Sequence, residues 1–315
     1  MRTDPLAPIL DRFGVVVLDG GLGTELEARG ADMRDRLWSA KALVEDPDLI
    51  REVHLAYFRS GADVAISASF QASFEGFAAH GFDHGAAEHL MRRSVELAQE
   101  ARAAWWHAAE RPDRPFPLVA ASVGPYGAVL GGGAEFTGDY DRDEEELLAF
   151  HLPRLSVLAS AEPDLLACET IPSIVEARAL VRALERVPDV PAWITFSCRN
   201  ASEICDGTPL ETAVRTATAS PSVVAVGVNC TAPAHIEGLV RIAAGETDLP
   251  IVAYPNRGAF WDGVRRAWVD PPRQDARSTL QPARWREAGA RLIGGCCGIG
   301  PAQIAAIARE LGRAA

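Results

Sequence analysis

The chain has 315 residues, 48% of them hydrophobic, and 31 Lys and Arg stand against 43 Asp and Glu for a net charge of −12. That suffices to bury the core of one large α/β unit or two small ones, and an acidic chain with no basic stripe argues against nucleic acid and anionic membranes as partners. No apolar stretch approaches the ~20 residues a bilayer span needs, and Met1-Arg2-Thr3-Asp4-Pro5 lacks a signal-peptide core, so a cytoplasmic location is expected.

Eight short apolar runs, rich in Val, Ile and Ala and without strict alternation, read as strands buried on both faces. They lie at 15–21, 63–69, 118–124, 164–170, 192–198, 223–230, 250–256 and 291–297. Segments of helical spacing separate most of them. Ile174, Ala177, Leu180, Leu184 and Val187 form one apolar stripe. Thr208-Pro209-Leu210 before Glu211 predicts a helix start with Thr208 as N-cap, Pro209 first and Glu211 closing a capping box. Pro301 is expected to open the last helix, over 302–311. The stretches 112–117 and 254–281 read as loops or insertions.

Eight strands alternating with helices over about 300 residues predict an α/β fold, a single (β/α)8 TIM barrel, with 1–315 forming one domain. The competitor, an open doubly wound sheet, usually carries a glycine fingerprint. Gly21-Leu22-Gly23 begins one, but Leu26 stands where the third glycine belongs; Gly298-Ile299-Gly300 fails likewise at Gln303, and no phosphate-cradling loop exists. Active sites in a (β/α)8 barrel lie at the C-terminal ends of the strands. Asp19, Ser69, Glu169, Asn229, Cys230, Cys296 and Cys297 all fall at such ends.

Six cysteines in a reducing compartment point to metal or catalytic use rather than a disulfide framework. Cys296 and Cys297 follow Arg291-Leu292-Ile293 and sit between the glycine pairs 294–295 and 298–300; Cys230 ends the similar run 226–230. The three are read as thiolate ligands of one zinc ion. A catalytic zinc takes three protein ligands and leaves a fourth position open. Three thiolates make the centre electron-rich, a poor activator of water and a good holder of a fourth sulfur. A free thiol, with a pKa near 8.5, is mostly protonated at neutral pH; coordination deprotonates it. The competing reading is a buried, inert cysteine pair. Cys168, Cys198 and Cys205 are taken as structural.

Asp19 and Glu169, the first beside Gly20-Gly21, are candidates for binding a substrate ammonium; the alternative is salt bridges or caps onto loop amides. Trp38 and Trp261 fall in predicted loops on the strand-end side, where an aromatic face can cage an onium cation. His80, His84 and His89 read as a loop entering a helix rather than as ligands. The acidic run 141–146 reads as a solvated helix start, and Trp105-Trp106 as a packed helix face.

These residues resemble the homocysteine S-methyltransferases, most strongly the bacterial enzymes that use S-methylmethionine. The likeness runs from Leu18-Asp19-Gly20 through Leu37-Trp38-Ser39-Ala40-Lys41, Ser122-Val123-Gly124-Pro125-Tyr126-Gly127 and Leu166-Ala167-Cys168-Glu169-Thr170. It continues through Gly227-Val228-Asn229-Cys230 and Tyr254-Pro255-Asn256 to Gly294-Gly295-Cys296-Cys297. The resemblance implies a zinc-bound barrel with Cys230, Cys296 and Cys297 as ligands. It also implies that Asp19 and Glu169 help hold homocysteine and that Asn229 sits around the metal; Gly20, Ser69 and Trp38 complete the expected substrate site. Departures are Gly21-Leu22-Gly23, Phe70 where relatives often carry Tyr, Arg257 to Trp261 after Tyr-Pro-Asn, and Gly298-Ile299 after the cysteine pair. A glycine there is familiar from the betaine-using branch. The implied reaction moves a methyl group from S-methylmethionine or S-adenosylmethionine to homocysteine, giving methionine. Betaine as donor, a selenol as acceptor, and a zinc- or thiol-binding protein without turnover are the alternatives; the oligomeric state is left open.

Overall fold

The computed structural model describes residues 4–32, 39–108, 114–187, 190–258, 260–262, 267–269 and 279–313. The expected barrel is present. Its strands are β1 (Val16–Val17), β2 (Val64–Ile66), β3 (Leu118–Val123), β4 (Leu165–Ile171), β5 (Ala192–Phe196), β6 (Val223–Asn229) and β7 (Ile251–Tyr254). After a two-stranded ribbon, β8 (Phe260–Asp262) and β9 (Ala267–Val269), β10 (Ala290–Ile293) is the eighth. The order β1-β10-β7-β6-β5-β4-β3-β2 is parallel throughout. A parallel bridge from Leu18 to Val64 brings the last strand to the first, with Asp19 N–H donating to Val64 O at 3.1 Å. Each of the eight predicted runs overlaps one of these strands, with β4 running one residue past its run and β10 starting one residue before.

The missing alternation in those runs has a structural cause: both faces of the sheet are buried. Along β3, Leu118 and Ala120 point into the barrel with Leu165, Ala167, Trp193, Ala225, Val252 and Tyr254. Val119, Ala121 and Val123 point outward into the layer between sheet and helices. Small residues on β3, β4 and β6 leave room for Trp193 and Tyr254, whose rings meet edge-on at 6.5 Å. Leu6 and Ile9, ahead of and within the helix Ala7–Phe13, belong to the same inner cluster and cover its N-terminal end.

Helices cover the outside. The predicted stripe lies on Ile174–Leu184, where Ala177, Leu180 and Leu184 are buried; Val187 is buried beyond the helix end. The acidic run starts Glu144–Ala159, with Asp143 and Glu146 forming a capping box. Pro301 is itself the first residue of Pro301–Glu310. Trp105 packs at 6.2 Å from Phe58 on the buried face of His84–Ala108.

One expectation is corrected. Thr208 is not an N-cap. The helix Leu210–Ala217 has Pro209 in that position with no side-chain cap. Thr208 is held instead in a small loop, its N–H on Asp206 Oδ1 at 2.8 Å and its carbonyl accepting from Ile204 N–H at 3.0 Å. Within the expected insertion 254–281, β8 and β9 pair antiparallel as a small ribbon. Among the described residues, no helix is long and apolar enough to cross a membrane.

Candidate metal and substrate site

Backbone hydrogen bonds set the three strand-end cysteines. Cys230 N–H donates to Tyr254 O at 3.0 Å and Cys296 N–H to Pro255 O at 2.7 Å. Asn256 Nδ2 donates to Cys230 O at 3.1 Å. Tyr254-Pro255-Asn256 therefore ties the end of β6 to the loop after β10. The glycines permit the crowding. A Cβ on Gly20 would meet Ile299 O at 2.1 Å, and one on Gly295 would meet the Ile299 side chain at 2.2 Å.

Cys230 is held at φ +46° and Thr170 at φ +62°, a left-handed region that costs a non-glycine residue about 1–3 kcal/mol. Asn229 clamps this part of the mouth. Its Oδ1 accepts from Thr170 N–H and its Nδ2 donates to Thr170 Oγ1, both at 2.7 Å. Asn229 thus joins the ends of β4 and β6 beneath the thiols, as a scaffold for the site.

Cys230 Sγ lies 3.6 Å from Cys297 Sγ, and Cys296 Sγ 3.9 Å from Cys297 Sγ. All three sulfurs lie within 4.8 Å of one another, and all six cysteines are free thiols. These separations fit a metal. Tetrahedral zinc with Zn–S bonds near 2.3 Å has sulfurs about 3.8 Å apart. Hydrogen bonds from the Cys230 and Cys296 thiols hold Cys297 well below the ordinary thiol range. Thiol–thiol hydrogen bonds with Cys296 and Cys297, and then burial, push Cys230 up. Thiol binding of a divalent cation proceeds with loss of the thiol protons, and three sulfurs this close are a donor set suited to it. Among the described residues no fourth His, Cys, Asp or Glu joins the group. Burial pushes Cys168 up to about 12, as befits an inert thiol.

The sulfurs open onto a cavity of about 110 Å³ lined by Gly20, Ser67, Ser122, Glu135, Glu169 and Tyr254, among others. Glu169 is 7% exposed. It accepts from the Ser122 hydroxyl and, at 3.0 Å, from the Tyr254 hydroxyl, which in turn pairs with Thr195 Oγ1 at 2.9 Å. Burial raises the Glu169 carboxyl to about 7, against the pull of Ser122. Asp19 accepts from Ile66 N–H at 2.8 Å through Oδ2, while its buried Oδ1 has no partner. Burial holds its carboxyl well above the usual range.

Of the other expected residues, Gly20 lines the cavity. Ser69 does not. Its hydroxyl donates to Ser122 O at 2.8 Å inside the wall, and Ser67 takes the lining position. Trp38 lies outside the described residues, as does the side chain of Trp261. Among the described residues, His80, His84 and His89 join no metal-holding group, and the His84 ring stacks on Phe74 at 4.2 Å. Sequence reasoning missed Glu135 and the support that Tyr254 gives Glu169. For Glu135 the only signal was an acid-aromatic pair, Glu135-Phe136, after three glycines.

The sequence profile described as homocysteine S-methyltransferase matches residues 16–311. The homocysteine S-methyltransferase of Escherichia coli K12 is 47% identical over 306 residues, 97% of this chain and 98% of that one. Homocysteine S-methyltransferase YbgG of Bacillus subtilis is 46% identical over 313 residues, 98% of this chain and 99% of that one. The crystal structure of the E. coli homocysteine methyltransferase MmuM in its metallated form superposes with a TM-score of 0.86 at 45% identity, covering 97% and 99% of the two chains. The apo form of that protein gives 0.77 at 41% identity over 97% and 99%.

Proposed function

The chain belongs to the homocysteine S-methyltransferase family, and we propose that it moves a methyl group from a sulfonium donor to homocysteine at a zinc ion held by Cys230, Cys296 and Cys297. The carrying observation is the thiol trio, within 4.8 Å and without a fourth protein ligand among the described residues. When bound, the ion supplies a fourth position at which a thiol sheds its proton and stays nucleophilic.

The chain's own residues do the rest. Glu169, with Asp19 behind it, offers the negative charge that takes up the homocysteine ammonium. Ser122 and Tyr254 orient the Glu169 carboxylate through its two oxygens. Asn229, the residue before Cys230, fixes the strained backbone at Thr170. Gly20 and its neighbours leave the acceptor room beside the sulfurs. The acceptor sulfur then forms a bond to the methyl carbon, and the donor's sulfur–methyl bond breaks with its electron pair returning to that sulfur. Thiolate and sulfonium become two neutral thioethers, one of them methionine. No general base is required at this step, because the thiol proton has already left to solvent.

S-methylmethionine is the expected donor and S-adenosylmethionine the second candidate. The test is incubation of purified zinc-loaded protein with homocysteine and each sulfonium in turn, with betaine as a further arm, following methionine. Formation from a sulfonium alone supports the reading. Turnover equal to this in metal-free protein, or turnover with betaine only, contradicts it.

A further inference from the structure

Glu135 has no part in the chemistry above. It lies on the single turn Ala134–Phe136, reached through Gly131-Gly132-Gly133, all three at positive φ. That turn lies against β4 at the mouth, where the Ser197 hydroxyl reaches Glu135 O at 3.5 Å. The side chain is 8% exposed and its Oε2 is buried without a hydrogen-bond partner. It lines the cavity of the three sulfurs together with Phe70 and Phe136. Its charge is felt at Cys297, and burial raises its carboxyl to about 7.

A buried carboxylate whose only hydrogen bond comes from its own backbone, with Oε2 unpartnered beside a cluster of thiols, is unfavourable unless something positive arrives. An ammonium carries N–H donors, and Glu169 is already oriented for one by two hydroxyls. A sulfonium carries no donor. It needs negative charge and aromatic faces, the two features that Glu135, Phe70 and Phe136 bring to the same cavity.

We propose that Glu135 is the counter-ion of the sulfonium methyl donor, and that with Phe70 and Phe136 it forms the donor's cation-binding wall. The inference rests on the methyl-transfer reading and specifies its donor half. Sulfonium binding neutralises Glu135. Transfer turns the sulfonium into a neutral thioether, Glu135 loses its counter-ion, and the demethylated product loses its hold.

The test uses the zinc-loaded full chain with homocysteine and S-methylmethionine. Glu135→Gln keeps the shape and removes the charge. It is expected to raise the donor KM by about 10- to 100-fold while the homocysteine KM and bound zinc stay within about twofold. Glu135→Asp, which keeps the charge, should recover part of the loss. Tetramethylammonium, a cation of similar size without a readily transferred methyl group, should inhibit the unaltered protein competitively against the donor. Its inhibition should weaken by about tenfold or more in Glu135→Gln. Unchanged donor KM and unchanged inhibition in Glu135→Gln would overturn the assignment while leaving the methyl-transfer reading intact. An equal rise in both substrate KM values would also overturn it, by showing a structural role. Failure of the unaltered protein to make methionine from any sulfonium would overturn both.

Discussion

The two ends of the barrel treat buried carboxylates in opposite ways. At the N-terminal end, Asp63 is fully buried and fully partnered. Arg313 Nη2 reaches its Oδ1 at 2.8 Å, Val17 N–H donates to its Oδ2 at 2.9 Å, and the Arg114 guanidinium stands 3.9 Å away. At the C-terminal mouth Asp19 and Glu135 each keep a buried oxygen without a partner, and Glu169 has only hydroxyls. One end spends its charges on holding the fold together. The other leaves them uncompensated beside three thiols, which is how a site for cationic ligands differs from a structural ion pair.

The largest expected effect comes from breaking the mouth. Cys296→Ser should abolish stoichiometric zinc and lower methionine formation by about a thousandfold or more, read by metal analysis and turnover. Breaking the opposite end should act on stability instead. Arg313→Met leaves Asp63 short of its nearest cation and should cost about 3–5 kcal/mol in denaturant unfolding, with turnover per folded molecule unchanged. Asn229→Ala removes both clamps on Thr170 and should weaken zinc by about 10- to 100-fold in competition with a chelator.

The smallest effect sharpens the contrast. The Glu135 carboxyl stands at about 7, above the value of 4.5 from which burial raises it. The folded state therefore holds its proton more tightly than the unfolded chain, and this group lowers stability as pH rises through about 7. Without donor, Glu135→Gln should be more stable than the unaltered chain by about 1–3 kcal/mol at pH 8. The advantage should shrink toward pH 5. A loss of stability at pH 8 would show that Glu135 is paired in solution.

The barrel was legible because each inner strand is an apolar run with both faces buried, and the thiols because two adjacent cysteines sit between glycines at the end of such a run. What sequence missed depends on contacts between distant segments. Arg313 and Asp63 lie 250 residues apart. Ser69 was expected at the site because the run 63–69 was read as strand to its end. β2 stops at Ile66, the chain turns, and Ser67 takes the lining position. Glu135 stands on a single turn outside any periodic element, marked in the sequence only by the acid-aromatic pair after three glycines. Thr208 showed a capping box in sequence, but the loop 198–209 engages it first.

The central claim is that the thiol trio holds a metal with one place free for the substrate's sulfur. Zinc-edge X-ray absorption of the zinc-loaded protein, before and after homocysteine, tests it most directly. The expected result is three sulfurs at about 2.3 Å with one lighter atom, becoming four sulfurs when homocysteine is added. A zinc shell already closed by four protein atoms, unchanged by homocysteine, would contradict it.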